Sequence, residues 1–124
     1  MKTVIYNGIK HNVFKIKTEF GNIDIILCKK QYRNPETLAV AAMEVENGEV
    51  NEEYDFAVLT VNLDGYTGLG QQSDTRAYVD CNNCGWARSF LEGNAIAKPT
   101  GIFTLSGFCT YPLYEWDTTK FYAE

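Results

Sequence analysis

Residues 4–17 read VIYNGIKHNVFKIK, and this stretch predicts that the chain begins with paired β-strands. Asn7-Gly8 lies between apolar-rich flanks and is the strongest short-range signal for a β-hairpin, because both turn positions need a positive φ. In the strand that follows, Phe14 and Ile16 alternate with lysines, so one face of that strand is apolar and the other is charged. The stretch therefore predicts antiparallel strands that are joined by tight turns.

Apolar and β-branched runs beyond this hairpin predict further strands, at residues 23–28, 38–45, 54–63 and 75–79. Residues 38–45 contain three alanines, which also suit a helix, but the Asn47-Gly48 turn directly after them favours a strand. Residues 33–36 contain an Asn-Pro step and residues 64–72 contain three glycines, so both segments are predicted loops. The expected arrangement is a meander of about five antiparallel strands.

The last third of the chain predicts one helix. Either Asn82 or Asn83 is expected to cap its start, because a side-chain oxygen there can accept from a free first-turn N–H. Trp86 and Phe90 are four residues apart and form an apolar stripe on the helix. The Gly-Asn step at residues 93–94 is expected to end the helix in a left-handed conformation.

Residues 99–107 are predicted as a loop that can contain a short strand, and a final strand is predicted over residues 111–116. The fold class expected from the whole pattern is therefore α+β: an antiparallel β-meander of about five strands with a C-terminal helix and a final strand. The chain has 124 residues, which is enough for one hydrophobic core, so a single domain is expected over residues 1–124.

Charge is distributed unevenly along the chain. Residues 1–33 carry seven Lys/Arg and two Asp/Glu, whereas residues 34–124 carry four and fourteen, and the formal net charge is −5. The lysines near the N-terminus fit the solvated face of strands, so no duplex nucleic acid is expected as a partner. No apolar run is long enough to span a bilayer and no export signal is recognisable, so we expect a cytoplasmic protein without a membrane partner.

The residues that commonly carry catalysis or metal binding are sparse. Cys81 and Cys84 form one CxxC pair, which with the other two cysteines leaves a zinc site, thiol redox chemistry or inert buried thiols open. The third reading is favoured because no second CxxC pair is present, so no metal is expected. His11 is the only histidine and is interpreted as a surface residue without a nucleophile beside it. We therefore expect neither an enzyme nor a cofactor.

The segment from residue 80 to residue 117 combines turn formers, hydrogen-bonding side chains and flat aromatic rings, a mixture that suits a pocket for a flat polar molecule. The small-residue turn at Ser106-Gly107 can present backbone N–H groups to phosphate oxygens, and Arg88 or Arg76 can supply a bidentate phosphate contact. The candidate ligand-binding residues are Asn82, Asn83, Trp86, Arg88, Thr100, Ser106, Gly107, Phe108, Thr110 and Tyr111.

Three pieces of this segment, NNCGWARSFLEGN, PTG and SGFCTYPLYEWD, resemble the C-terminal signature of a small uncharacterised family found in prophages and integrative elements. That family is in turn similar to the phage anti-Thoeris proteins, which act as sponges for a cyclic ADP-ribose isomer. The family often has arginines near the Thr-Gly and Ser-Gly steps, where this chain has Ile102 and Leu105. If those arginines bind the phosphate groups of the ligand, Arg88 or Arg76 must make that contact in this chain.

The resemblance implies a counter-defence protein that binds a cyclic nucleotide and releases it intact, and that forms a homodimer or a larger homo-oligomer. The alternative belongs to another class: an acidic inhibitor that binds a bacterial defence protein as a nucleic-acid mimic, in the manner of an anti-CRISPR protein. A sponge should show a deep polar pocket, whereas a mimic should show a broad acidic face without one.

Overall fold

Two Asn-Gly turns set the hairpins of the computed structural model, which describes residues 2–32, 37–53, 55–63 and 68–123. Asn7 and Gly8 have φ values of 52° and 76°, and Asn47 and Gly48 have φ values of 54° and 78°. Positive φ at both central positions is the type I′ geometry that matches the twist of paired strands. Both hairpin turns predicted from the sequence are therefore confirmed.

The described residues form eleven strands and one α-helix. In chain order these are β1 (Thr3–Tyr6), β2 (Ile9–Asn12), β3 (Phe14–Thr18), β4 (Gly21–Gln31), β5 (Leu38–Glu46), β6 (Glu49–Val50), β7 (Ala57–Val58), β8 (Thr60–Val61), β9 (Arg76–Val79), α1 (Ala87–Gly93), β10 (Ala97–Ser106) and β11 (Cys109–Trp116). Short 3₁₀ turns occupy Gly68–Gly70 and Thr118–Phe121. Three parts of the predicted elements lie outside the described residues. They are the loop at residues 33–36, residues 64–67 of the glycine-rich loop, and Tyr54 at the start of the predicted 54–63 strand.

The strands of the described chain form three antiparallel sheets. β1 pairs with β2, the order β3-β4-β5-β6 with β7 beside β5 forms a five-stranded sheet, and the order β10-β11-β9-β8 forms a four-stranded sheet. The predicted fold class, a five-strand meander with a C-terminal helix and a final strand, is therefore wrong. The helix lies between β9 and β10. After it, β10 and β11 form a long hairpin, where the sequence predicts a loop with a short strand and then a final strand.

Hydrophobic packing joins these sheets into layers. Strand β5 lies in the middle: Val40 and Ala42 face a large core that α1 and the four-stranded sheet complete, with Leu91, Tyr114 and Trp116 buried in it. The opposite face of the five-stranded sheet is covered by the β1–β2 hairpin. There, Val4 and Tyr6 pack against a second core made of Val13, Ile26, Met43 and Val45.

The ends of α1 differ from the sequence prediction. Trp86 occupies the N-cap position and makes no side-chain cap hydrogen bond, so neither Asn82 nor Asn83 caps the helix. Instead the Asp80 carboxylate accepts from the backbone N–H of Asn83 at 3.2 Å and from its side-chain amide at 2.9 Å. The helix does end at Gly93, but the left-handed residue after it is Ala95, with a φ of 55°.

Leu91→Ala tests the position of the helix in the large core. Leu91 is fully buried, so the substitution is expected to lower the free energy of unfolding by about 2–5 kcal/mol through lost burial and the cavity that remains. Leu69→Ala is the matched control, because Leu69 is 78% exposed and its loss should change stability by less than about 0.5 kcal/mol. Urea denaturation measures both, and equal effects of the two substitutions would contradict the placement of α1.

His11 makes the stability of the protein depend on pH. It is 4% exposed, and burial lowers the pKa of its imidazole below the usual 6.5, although the backbone carbonyls of Leu27 and Tyr6 act in the opposite direction. The folded state therefore binds this proton less well than the unfolded state. Its contribution to stability is fully present above the unfolded pKa and is lost as the pH falls through the lowered folded pKa.

We expect the free energy of unfolding of the wild type to decrease between about pH 7 and pH 5, and this decrease to be smaller in His11→Gln. His11 is the only histidine, so the difference between the two slopes isolates its titration. Chemical denaturation at several pH values in this range measures both slopes. Parallel slopes for the two proteins would show that His11 is not the group responsible.

Candidate functional site

Helix α1 presents two different stripes of side chains. Trp86 and Phe90 pack edge to face at 5.6 Å between ring centroids, and Phe90 in turn contacts the ring of Phe14 on β3. Arg88 and Glu92 are also four residues apart, but they lie roughly 200° around the helix from the first pair. They face the β10–β11 hairpin of the four-stranded sheet.

Arg88, Glu92 and Tyr114 form a hydrogen-bonded chain. The Arg88 Nε–H donates to the Tyr114 hydroxyl at 2.9 Å, and that hydroxyl donates to a Glu92 carboxylate oxygen at 2.7 Å. Tyr114 is fully buried on β11, so its hydroxyl fixes the arginine from beneath. A charge-assisted chain of this kind holds the guanidinium in one orientation.

Two aromatic rings flank the same guanidinium. Its Cζ lies 5.8 Å from the ring centroid of Phe103 on β10 and 5.8 Å from that of Tyr114. The hydrogen bond that Arg88 donates to Tyr114 raises the pKa of Arg88, and burial raises the pKa of the Tyr114 hydroxyl. At neutral pH the site therefore contains a charged guanidinium and a neutral phenol. Phe103 is 53% exposed, so one side of its ring is open to solvent.

The terminal nitrogens of Arg88 are available for a further contact. Within the part of the chain that the structure describes, Arg88 hydrogen-bonds through Nε alone, and its neighbour Glu92 is engaged by Tyr114. Arg76 differs, because its Nε lies 3.4 Å from a Glu115 carboxylate oxygen. Of the two arginines considered from the sequence, Arg88 is the one without a carboxylate at ion-pair distance among the described residues, so it is the better candidate for a bidentate anion contact. We call Arg88, Glu92, Phe103 and Tyr114 the Arg88 site.

The structure does not gather the ten predicted ligand residues around one cavity. Trp86 lies on the other side of α1 from Arg88, where it lines a small cavity with Lys15 and Lys17. The Thr100 hydroxyl donates to the backbone carbonyl of Leu113 at 2.9 Å and accepts from the backbone N–H of Ile102, which is a structural role. Asn83 is held by Asp80, and Asn82 is exposed in the same turn.

The remaining predicted residues belong to the β10–β11 hairpin. Ser106, Gly107 and Phe108 are exposed at its tip, where Gly107 has a φ of 62° and Phe108 has no surrounding contacts that shield its ring. Thr110 and Tyr111 are neighbours on a strand and so project from opposite faces of the sheet. Tyr111 packs beside Leu113 on the face that points away from α1. Only Arg88 of the ten therefore belongs to the Arg88 site.

The four cysteines differ in burial, and Cys84 is the one that is buried. All four are free thiols, and no three His, Cys, Asp or Glu side chains there are close enough to hold a metal ion. Burial raises the pKa of the Cys84 thiol to about 11, and its Sγ is directed at the Val58 carbonyl. A raised pKa is the opposite of what a reactive helix-terminal thiol needs.

Two further cavities are lined by none of the ten predicted ligand residues. One of about 600 Å³ lies at the end of α1 and is lined by residues that include Ile96, Lys98 and Asp117. The other, of about 380 Å³, is lined by residues that include His11 and Cys28. The interpretation of His11 as a surface residue is wrong, because His11 is buried and the rings of Tyr6 and Tyr122 pack edge-on against the imidazole.

Comparison with known proteins gives one match. A family model described as "Domain of unknown function (DUF4313)" matches residues 26–123, from within β4 to the C-terminal segment, and so includes the whole Arg88 site. Neither the curated proteins nor the solved structures gave a match. No helix among the described residues is long and apolar enough to cross a membrane. Because the family model covers most of its length, the chain belongs to the DUF4313 family.

Proposed function

We propose that this protein binds and sequesters a cyclic ADP-ribose-type signalling nucleotide without cleaving it, as a counter-defence protein of a phage or mobile element. The proposal places it in the host cytoplasm as a homo-oligomer, without a cofactor or enzymatic activity. One structural observation carries it: the Arg88 Nε–H is bonded to the Tyr114 hydroxyl, while the terminal nitrogens of Arg88 have no hydrogen-bond partner among the described residues. The resemblance of the C-terminal segment to sponge-like proteins gives the class of ligand.

The Arg88 site suits the two chemical parts of such a ligand. A pyrophosphate offers the paired oxygens that a guanidinium binds through two parallel hydrogen bonds. The exposed side of Phe103 offers a flat surface on which a base can stack. Because the Tyr114 hydroxyl already holds the Arg88 Nε–H, less side-chain entropy is lost when the ligand binds.

A second candidate function is supported by a different part of the surface. Residues 44–55 contain six acidic residues and no basic residue. Burial, with a further contribution from the neighbouring Glu46, raises the pKa of the Glu44 carboxyl, as expected where like charges are close. This acidic segment, in which Asp55 is paired with Lys30 at 3.4 Å, favours the acidic inhibitor that mimics nucleic acid toward a basic defence protein.

Calorimetry with cyclic ADP-ribose isomers tests the nucleotide proposal. A sponge must compete with its effector, so we expect nanomolar binding, about −12 kcal/mol. Arg88→Ala should weaken binding by about 10- to 100-fold, because a hydrogen bond to a charged group contributes roughly 1.5–3 kcal/mol. Heating the complex should release a ligand with an unchanged chromatographic retention time, and native mass spectrometry should show more than one subunit.

Arg76→Ala is the matched control, because Arg76 is paired with Glu115 on β11. This substitution is expected to leave the affinity for the nucleotide unchanged. Thermal unfolding of both variants checks that each is folded. If none of the isomers binds the wild type, the nucleotide proposal fails and the acidic inhibitor becomes the leading function. Recovery of a cleaved product would instead identify an enzyme.

A further inference from the structure

Strand β3 lies at the edge of the five-stranded sheet, and its outer side has no partner strand among the described residues. Strand β1 covers this edge only as far as Val13, whose backbone N–H donates to the Lys2 carbonyl at 2.9 Å. Beyond that bond, β3 pairs within the described chain with β4 alone. An exposed strand edge of this kind is a template on which another extended segment can pair.

The register of β3 on β4 shows which backbone groups face the open edge. The turn between the two strands has two residues, so the pair that flanks it, Thr18 and Gly21, exchanges backbone hydrogen bonds. Hydrogen-bonded and non-hydrogen-bonded pairs alternate along an antiparallel ladder, so Lys17 and Lys15 belong to the second kind. The N–H and C=O groups of both lysines therefore point away from β4. Two donors and two acceptors face the open edge.

The two faces of β3 differ in chemistry. Lys15 and Lys17 are exposed on one face, and Ile16 between them is buried on the other. Lys15 Nζ lies 3.7 Å from an Asp24 carboxylate oxygen, but that carboxylate is closer to Lys2, at 2.7 Å. Lys17 has no ion-pair partner within the described residues. The lysine face of this edge therefore carries an excess of positive charge.

A small cavity lies on the other face of the edge, between β3 and α1. It has a volume of about 240 Å³, and its lining includes the apolar Ile16, Trp86 and Phe90 and the polar Ser89 and Asn94. Small-molecule pockets are typically larger, roughly 300–1,000 Å³, so this cavity suits a single side chain. In an added strand, the residue opposite Ile16 projects from this same face. Its side chain therefore enters the cavity beside the aromatic rings.

The lysines argue against a second copy of this chain as the added strand. If two copies of β3 paired antiparallel about Ile16, Lys15 of each copy would lie opposite Lys17 of the other. Like charges directly opposite each other destabilise a strand pair, and lysines on edge strands commonly prevent such self-pairing. Carboxylates at the same two positions would instead be attracted to both lysines. The charge of the edge therefore selects an acidic partner.

We infer that the free edge of β3 binds an extended acidic segment of another protein by strand addition. The segment runs antiparallel to β3, with an acidic residue opposite each of Lys15 and Lys17. An apolar residue between the two acidic ones enters the cavity beside Trp86 and Phe90. Backbone hydrogen bonds give affinity, and the alternating side chains give specificity. This site shares no residue with the Arg88 site, and β3 lies before the region that the family model matches.

Titration of ¹⁵N-labelled protein with a capped peptide of sequence STEIETS, followed by two-dimensional NMR, tests this inference. We expect saturable shifts of the Lys15 and Lys17 amides, which gain hydrogen bonds, with the amides near Arg88 unaffected. A peptide methylated on the backbone nitrogens of both glutamates loses two donors and should bind at least about tenfold more weakly. The peptide STEGETS lacks the apolar side chain and should also bind about tenfold more weakly.

Lys17→Glu should weaken the binding of STEIETS about tenfold, because it replaces an attractive cross-strand pair with a repulsive one. Lys29→Glu is the matched control, since it makes the same change of net charge on β4, beyond the residues that pair with β3. It should leave the affinity for STEIETS unchanged. Both lysines are exposed, so both variants are expected to fold.

The inference is overturned if STEIETS causes no saturable shifts of the two amides at millimolar concentration. Equal binding of the methylated peptide, or of STKIKTS with lysines in place of the glutamates, would also overturn it. Equal effects of Lys17→Glu and Lys29→Glu would do the same. Shifts of these amides with protein concentration, in the absence of peptide, would identify a second copy as the occupant and contradict the inference.

Discussion

Strand β5 is buried on both faces, and the rest of the structure depends on how those faces are covered. Eight of its nine side chains are buried or half-buried, whereas an antiparallel sheet commonly leaves one face in water. The β1–β2 hairpin covers one face, and α1 with the four-stranded sheet covers the other. A candidate site lies beside each of these two covering layers. The Arg88 site lies where α1 meets the β10–β11 hairpin, and the free edge of β3 begins where the pairing of β1 ends.

Features with local causes could be predicted from the sequence. The Asn7-Gly8 and Asn47-Gly48 turns follow from the backbone conformation that those residues permit, and β5 follows from the turn after it. Only part of β10 can be predicted, because Pro99 and Gly101 are residues typical of loops. They lie at an irregularity in the pairing of β10 with β11, where the φ of 88° at Gly101 is accommodated. The division into three sheets depends on contacts between layers, which no local pattern records.

In the candidate sites, too, some residues can be predicted from local sequence and others join the site only through the fold. Arg88 could be selected from the sequence because few arginines follow residue 33, and Glu92 lies at the helical spacing that allows the two to share a face. Tyr114 and Phe103 join them only through the fold, because they come from strands that pack beneath the helix. His11 was misjudged for a similar reason. The ring that buries it, Tyr122, comes from the opposite end of the chain.

Native-state hydrogen exchange of the amides in β4 and β5 tests most directly whether this doubly covered strand organises the protein. If it does, the amides of Leu27, Ala41 and Ala42 should be among the slowest to exchange, and their exchange should require global unfolding. Their opening free energy should then equal the free energy of unfolding measured with urea. Exchange of these amides through local openings, at a free energy well below the global value, would show that β5 does not organise the protein.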